Sequence, residues 1–283
     1  QLTGEPWHDI DPSYLPDGRI AFASERCGHN AQCDPDPWSE PMVNLYSIGA
    51  EGGDVRRLTS HKDSDTFPRL LNDGRLFYTR WEYHERGGLL HTQNLWVSRP
   101  DGTQQGALYK AHMDYPFSLE EGRAVPGSSK IVAVATGHHT NPAGPIVRID
   151  LTRGISDAAA MEVVTPGFSV FEGGLKAAPV PEGGVAGYGY YTTPWPLSEK
   201  YFLVSYNPGS DAAPIKSAEE GIPWGHYLVG VPDVDMTRTA GYGLYVIDVH
   251  GNRELIYRDP DISCFSPVPI EPLHNVNLHF GLA

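Results

Sequence analysis

The sequence predicts an all-β fold, a β-propeller of four-stranded antiparallel blades, on three observations. The first is composition: Gly 31 and Pro 25 with 11% aromatics in 283 residues suit many short strands joined by tight turns, because Gly and Pro punctuate turns while Tyr, Trp and Val fill half-buried strands. The second is the missing helical period, since no long stretch places apolar residues at helical spacing. The third is a repeat. "HDIDPSYLPDGRIAFASER" (His8 to Arg26) and "SDTFPRLLNDGRLFYTRWE" (Ser64 to Glu82) share Asp, two residues, Pro, four residues and Asp-Gly-Arg, with an offset of 56 residues between Asp17 and Asp73.

A second matched element follows each phrase. "NLYSIGAEGGDVRRLT" (Asn44 to Thr59) answers "NLWVSRPDGTQQGALY" (Asn94 to Tyr109). The unit is strand, turn, strand, loop, strand, Gly-containing turn, strand, and self-similarity at this scale is how a β-propeller blade reads in sequence. A looser third unit runs through "MDYPFSLEEGRAVPGSSKIVAVATGHH" and "GPIVRIDLTRG". A further one pairs "PLSEKYFLVSY" with "YGLYVIDVHGNRELIYRD". The Gly-rich span 158–193 is expected to contain another blade, and 207–240 to be an insertion on one rim. "QLTG" resembles "RRLTS" at the end of a blade, so Gln1 to Thr3 are expected as an outer strand whose inner strands include "ISCFSPVPI". Five blades are visible or implied, and a sixth closed by strands from both termini makes six, with residues 1–283 as one propeller domain that is either complete or a piece of a longer multidomain protein.

The recurring phrase is mostly architecture. Asp-Gly pairs mark hairpin turns, where Gly supplies positive φ. Pro12 and Pro68 are expected just before a first strand, where a missing N–H costs little, and Asp9 and Asp65 as Asx-type caps on local backbone.

A net charge of −14 with only 21 Lys and Arg repels phosphate backbones and anionic lipid, which argues against nucleic acid. The longest apolar runs, such as "KIVAVAT" (Lys130 to Thr136), are far short of the roughly 20 residues of a membrane helix, so membrane insertion is not expected. The chain begins at Gln1 without Met or signal peptide, as a mature secreted chain or a cut piece does. Cys27 and Cys33, with five residues between them in a polar loop, are expected as a disulfide rather than a zinc site, because one intervening His gives too few ligands. Disulfide use implies an oxidising compartment. Cys264 is expected as a buried thiol acting as a small hydrophobe.

"YTRWEYHERG" (Tyr78 to Gly87), "NLWVSRPDGT", "PGSSKIVAVATGHH" and the stretch from "PLSEKYFLVSY" to "YRDPDISC" resemble the middle domain of the hydrazine synthase alpha subunit family over nearly the whole chain. "LPDGRIAFASER" and "RRLT" resemble the TolB-like propellers more distantly. The resemblance implies a periplasmic or extracellular propeller, six-bladed, in proteins that also carry c-type cytochrome domains. In hydrazine synthase, nitric oxide and ammonium-derived nitrogen are joined at haem. No Cys-x-x-Cys-His occurs here, so no haem is attached by the standard motif, and fold similarity does not carry the reaction with it.

Among 12 histidines, His138 and His139 in "TGHHTNPAGP" are candidates to ligate a metal or the haem iron of a neighbouring domain, with loop capping as the plainer alternative. His8 with Asp9 and Asp11 forms a second metal candidate. Alternating carboxylates in "CDPDPW" and "HKDSDTF" have a spacing that suits calcium, although neither has the full loop signature. Arg80, Trp81, Tyr83, His84 and Arg86, interleaved with Glu82 and Glu85, form a partner-binding candidate, because aromatic and Arg clusters bury much area at modest entropy cost; a salt-bridged bulge locking blades is the alternative. Three functions compete: an accessory propeller docking on a c-type cytochrome domain or subunit, with contact to its haem c; a carbohydrate enzyme using Asp9, Asp65 and Asp114 as an acid/base set; and a protein scaffold with no redox partner.

Overall fold

The computed structural model of the chain describes residues 1–4, 6–30, 41–86, 89–113, 116, 118–136, 144–165, 168–169, 176–177, 190–207 and 241–270, as backbone only at 83–86, 89–92, 168–169, 176–177 and 190. It is all-β apart from three single 3₁₀ turns at Glu25–Cys27, Leu151–Arg153 and Ala158–Ala160. Four antiparallel meanders follow one another. The first runs β1 (Asp9–Tyr14), β2 (Ile20–Ser24), β3 (Asn44–Ile48), β4 (Arg56–Arg57). The second runs β5 (Asp65–Leu70), β6 (Leu76–Arg86), β7 (Leu89–Ser98), β8 (Gly106–Tyr109). The third runs β9 (Ser118–Ala124), β10 (Lys130–Thr136), β11 (Ile146–Asp150), β12 (Met161–Val163). After a two-residue pair, β13 (Phe168–Ser169) and β14 (Lys176–Ala177), the fourth runs β15 (Tyr190–Pro196), β16 (Tyr201–Asn207), β17 (Gly243–Asp248), β18 (Arg253–Tyr257). A single parallel bridge, Gln93 to Ser118, joins the second and third sheets.

The sheets stack face to face in sequence order. One core, with Leu15, Ala21, Ala23, Leu45, Leu76 and Tyr78, lies between the first and second. Another, with Phe77, Leu95, Tyr109, Leu119, Ile131 and Val147, lies between the second and third. A third, with Val132, Val134, Ile146, Tyr191, Phe202 and Val204, lies between the third and fourth. The run "KIVAVAT" shows why both faces must be apolar. Successive strand side chains point to opposite faces, so Ile131, Ala133 and Ala135 enter one core while Val132 and Val134 enter the next. A sheet sandwiched on both sides reads as a continuous hydrophobic run. The outer faces differ: Phe22, Tyr46 and Ile48 are buried on the first sheet, partly beneath the guanidinium of Arg26, whereas every residue of β18 is exposed on the fourth.

The Asp-Gly turns form as read. Gly18, Gly74 and Gly102 have φ of 83°, 84° and 83°, and Asp17, Asp73 and Asp101 accept from the backbone amide two residues on. At Gly102 a Cβ would fall 2.1 Å from the Leu58 carbonyl oxygen, so only Gly lets that hairpin pass against the preceding blade.

Several expectations are corrected. Pro12 and Pro68 lie inside β1 and β5 rather than before them. The span 158–193 supplies β12 to the third sheet and the start of β15 to the fourth, and these two sheets pack directly on each other. Among the described residues no four-stranded blade stands between them, and 166–167, 170–175 and 178–189 lie outside those residues. Closure by strands from both termini is not formed among the described residues, since residues 1–4 and 258–270 are not strands. Cys27 is a free thiol whose Sγ donates to the Met42 carbonyl at 2.9 Å; the expected disulfide is absent among the described residues, and Cys33 lies outside them. Cys264 is also free and is half-buried rather than buried.

Candidate functional site

The first strands of the four sheets touch in the order β1, β5, β9, β15, which sets them side by side around the inner edge of the blade stack. Each carries a bulge at the same place. Register shifts between Ile10 and Ser13, between Thr66 and Arg69, between Glu120 and Arg123, and between Thr192 and Trp195. Inside each bulge one non-Gly residue takes left-handed φ: Asp11 at 55°, Phe67 at 53°, Glu121 at 54° and Thr193 at 48°, with Ser266 repeating it at 53°. Pro12, Pro68, Gly122, Pro194 and Pro267 follow them. A proline has no amide to offer a ladder, and a bulge leaves one residue unpaired, so the two fit.

Such backbone costs on the order of 1–3 kcal/mol per site and persists only where its surroundings over-determine it. Hydrogen bonds from blade to blade supply that constraint. The Phe67 amide faces the Asp11 carboxylate and favours its charged form. Glu121 Oε2 accepts from the Thr193 amide and from Thr192 Oγ1 at 2.9 Å. The Ser266 amide donates to Thr193 Oγ1 at 3.1 Å. The Glu121 and Thr193 side chains therefore tie their bulges to the segment that follows, Phe67 having no polar group to do so, and residues 264–270 dock as the start of a fifth such strand would.

Two residues past the bulge stand Arg69, Arg123 and Trp195. Arg69 Nη1 donates to the carbonyls of Pro68, at 2.7 Å, and Asp11, at 3.3 Å. The Arg123 guanidinium lies over the Trp195 ring with 4.3 Å to its centroid. Burial pushes the Asp11 carboxyl up, against the opposing pull of Arg69, the Phe67 amide and Arg123. It pushes Glu121 up to about 7, where the charges of Glu120 and Asp11 add to the effect against hydrogen bonds from Thr193 and Thr192. Burial and then the charge of Arg69 pull Arg123 down to about 10. The cluster thus combines a carboxyl that exchanges its proton near neutrality with two half-buried cations.

Of the described residues singled out in the sequence, Asp11 reaches this cluster and His8, Asp9, Asp65 and Arg80 do not. His8 Nδ1 meets Glu25 Oε1 at 3.0 Å, Asp9 takes both bonds from Arg26 Nη2 at 3.0 and 2.9 Å, and Asp11 turns into the inner-edge cluster; the three do not converge. Asp65 is fully buried and holds Arg80, with Nε to Oδ1 at 2.7 Å and Nη2 to Oδ2 at 3.0 Å. Asp9 is therefore ion-paired to the 3₁₀ turn that follows the second strand of its blade, and Asp65 to the second strand of its own, rather than capping local backbone. As an acid/base pair they are already spent, and Asp114 lies outside the described residues. Arg80, read as partner-facing, is 5% exposed and stacks at 4.4 Å over Trp96, while Trp81 beside it is half-buried. The side chains of Tyr83, His84 and Arg86 lie outside the described residues, as do His138, His139 and the whole of "CDPDPW". In "HKDSDTF", Asp63 pairs with Lys62 at 2.8 Å and Asp65 with Arg80, which turns both carboxylates to cations of the chain. Among the described residues no three His, Cys, Asp or Glu gather as a metal site.

Arg69, Glu121, Arg123, Thr192, Thr193 and Trp195 escaped notice in the sequence. The signal was present as a residue followed by Pro or Gly, two or three positions into each first strand.

No family model matches the chain, and no curated protein does. Among solved structures, hydrazine synthase of Kuenenia stuttgartiensis superimposes with a TM-score of 0.62 at 16% identity, covering 89% of this chain and 29% of that one. TolB of Acinetobacter baumannii gives 0.47 at 15% identity over 90% of this chain and 44% of its own. Oligogalacturonate lyase of Vibrio parahaemolyticus gives 0.45 at 13% over 89% and 54%. At these identities the likeness to hydrazine synthase is one of fold, and this chain spans less than a third of that protein's length.

Proposed function

We propose that the chain is an accessory β-propeller module of a larger extracytoplasmic haem protein or complex, docking on a c-type cytochrome domain or subunit and carrying no catalysis of its own. The observation that carries the docking role is the open end of the blade stack. Leu255, Ile256 and Tyr257 of β18 are 48%, 54% and 54% exposed, and Ile262, Phe265, Val268 and Ile270 beyond them are more than half exposed. Among the described residues β18 is the edge strand of its sheet, and an apolar sheet end of this kind suits an interaction surface. The haem partner is argued from the fold shared with part of hydrazine synthase. It is also argued from the net charge of −14, which favours a partner with a basic face.

Absorption spectroscopy on the natively purified assembly tests the reading: a Soret band should co-elute with the chain. Elution without haem absorbance would overturn the redox partner and leave a protein scaffold. A haem-iron ligand role for His138 or His139 belongs to the same reading, and replacing the ligating one by Ala should shift the Soret and visible bands of that assembly. The carbohydrate reading loses two of its three carboxylates to Arg26 and Arg80.

A further inference from the structure

The charges at the inner edge are arranged so that cations stay available. Neither Arg69 nor Arg123 makes an ion pair among the described residues. Arg69 uses only Nη1, on two carbonyls. Arg123 makes no hydrogen bond to a described residue, and its planar group is held by the Trp195 face. Of the carboxylates beside them, Glu121 is engaged by Thr192 and Thr193, and Asp11 faces the Phe67 amide. Asp11 and Glu121 thus balance the positive charge through space without consuming its N–H donors. The contrast inside the same fold is Arg80, whose donors are taken by Asp65 and Gln105.

A guanidinium with its fork open and its plane fixed by stacking is suited to two-pronged recognition of an oxyanion. A second guanidinium within electrostatic reach repels the first, and an anion set between them relieves that repulsion. From this geometry we infer that the inner edge of the blade stack holds a receptor site for a small oxyanion, a carboxylate or a phosphate, gripped by Arg123 with Arg69 beside it and with Trp195 as the platform under the bound group. The site stands independently of any haem partner.

Isothermal titration calorimetry of the isolated chain at low ionic strength, with inorganic phosphate in one arm and galacturonate in the other, tests it. Saturable binding of either probe is expected, and the arm that binds identifies the source of the oxyanion. Arg123→Gln should weaken that binding about tenfold or more, on the scale of charge-assisted hydrogen bonds. Lys130→Gln, at a cation that pairs with Glu199 on the third and fourth sheets, should leave it within about twofold. Arginine Nε–H NMR of the unsubstituted chain gives a reading that needs no variant: the Arg123 resonance should move on addition of the probe. No saturation with either probe, equal affinity in Arg123→Gln, or an unmoved Arg123 resonance would each overturn the inference.

Discussion

Arg80 and Arg123 occupy the same fold one blade apart and are used in opposite ways. Arg80 sits on the second strand of its blade, buried, with a carboxylate of that blade bonded to two of its nitrogens and Tyr78 and Trp96 around it. Arg123 sits on a first strand just past a bulge, stacked on one ring, with its nearest carboxylates bonded to the backbone of another blade. The difference teaches that a charged residue in this fold is not read by its type or its neighbours in sequence. Its place relative to the bulge decides whether it is consumed by the blade or left for the inner edge.

Removing the partner of the consumed arginine should produce the largest effect. Asp65→Ala strands a buried guanidinium and should lower stability by about 3–5 kcal/mol, read as the urea midpoint at unchanged m. The double variant Asp65→Leu with Arg80→Met should recover most of that loss, because two apolar groups of similar size leave no uncompensated charge. A single variant as stable as the double one would break the comparison.

The inner edge should respond to pH instead. Glu121 titrates near 7 when folded, against an ordinary 4.5, so the folded chain binds more protons than the unfolded chain between those values. Stability contributed by this group is full below about 4.5 and falls as pH rises through 7, by up to about 3 kcal/mol. Asp11, raised by burial, acts with the same sign. Glu121→Gln should flatten this slope in denaturation curves from pH 5 to 8; an unchanged slope would mean that another group carries it.

Arg123→Gln should cost no more than about 1 kcal/mol by the same assay, since it breaks a stack and no ion pair. A loss as large as that of Asp65→Ala would show that Arg123 is as consumed as Arg80. At the small end, His8 is 83% exposed against Glu25, and His8→Ala should stay within about 0.5 kcal/mol.

Much of the fold was legible. The Asp-Gly turns and the four-strand unit follow from local chemistry with a short reach, although the first strands begin earlier than the repeat puts them. The bulge shows in the sequence as Pro or Gly early in each first strand, and at Pro12 and Pro68 it escapes a local reading because a proline ahead of a strand and a proline inside a bulged strand satisfy the same rule about a missing amide. A local reading makes Asp9 and Asp65 caps because their Arg partners lie 17 and 15 residues away, beyond what local spacing reveals. Glu121, Arg123 and Trp195 meet only when the third and fourth sheets pack. No pattern within either stretch announces that meeting, and the number of blades likewise depends on which sheets touch.

The bulge also separates two jobs along one strand. The left-handed residue and its Pro or Gly keep the stack in register, while the position two beyond it is Ser13, Arg69, Arg123, Trp195 or Val268 in turn. Replacing that one side chain leaves every ladder and both flanking cores untouched. A lineage built on this frame can therefore exchange what lines its centre, charge for ring or ring for alkyl, as freely as a loop is exchanged elsewhere, while the walls around it are inherited whole.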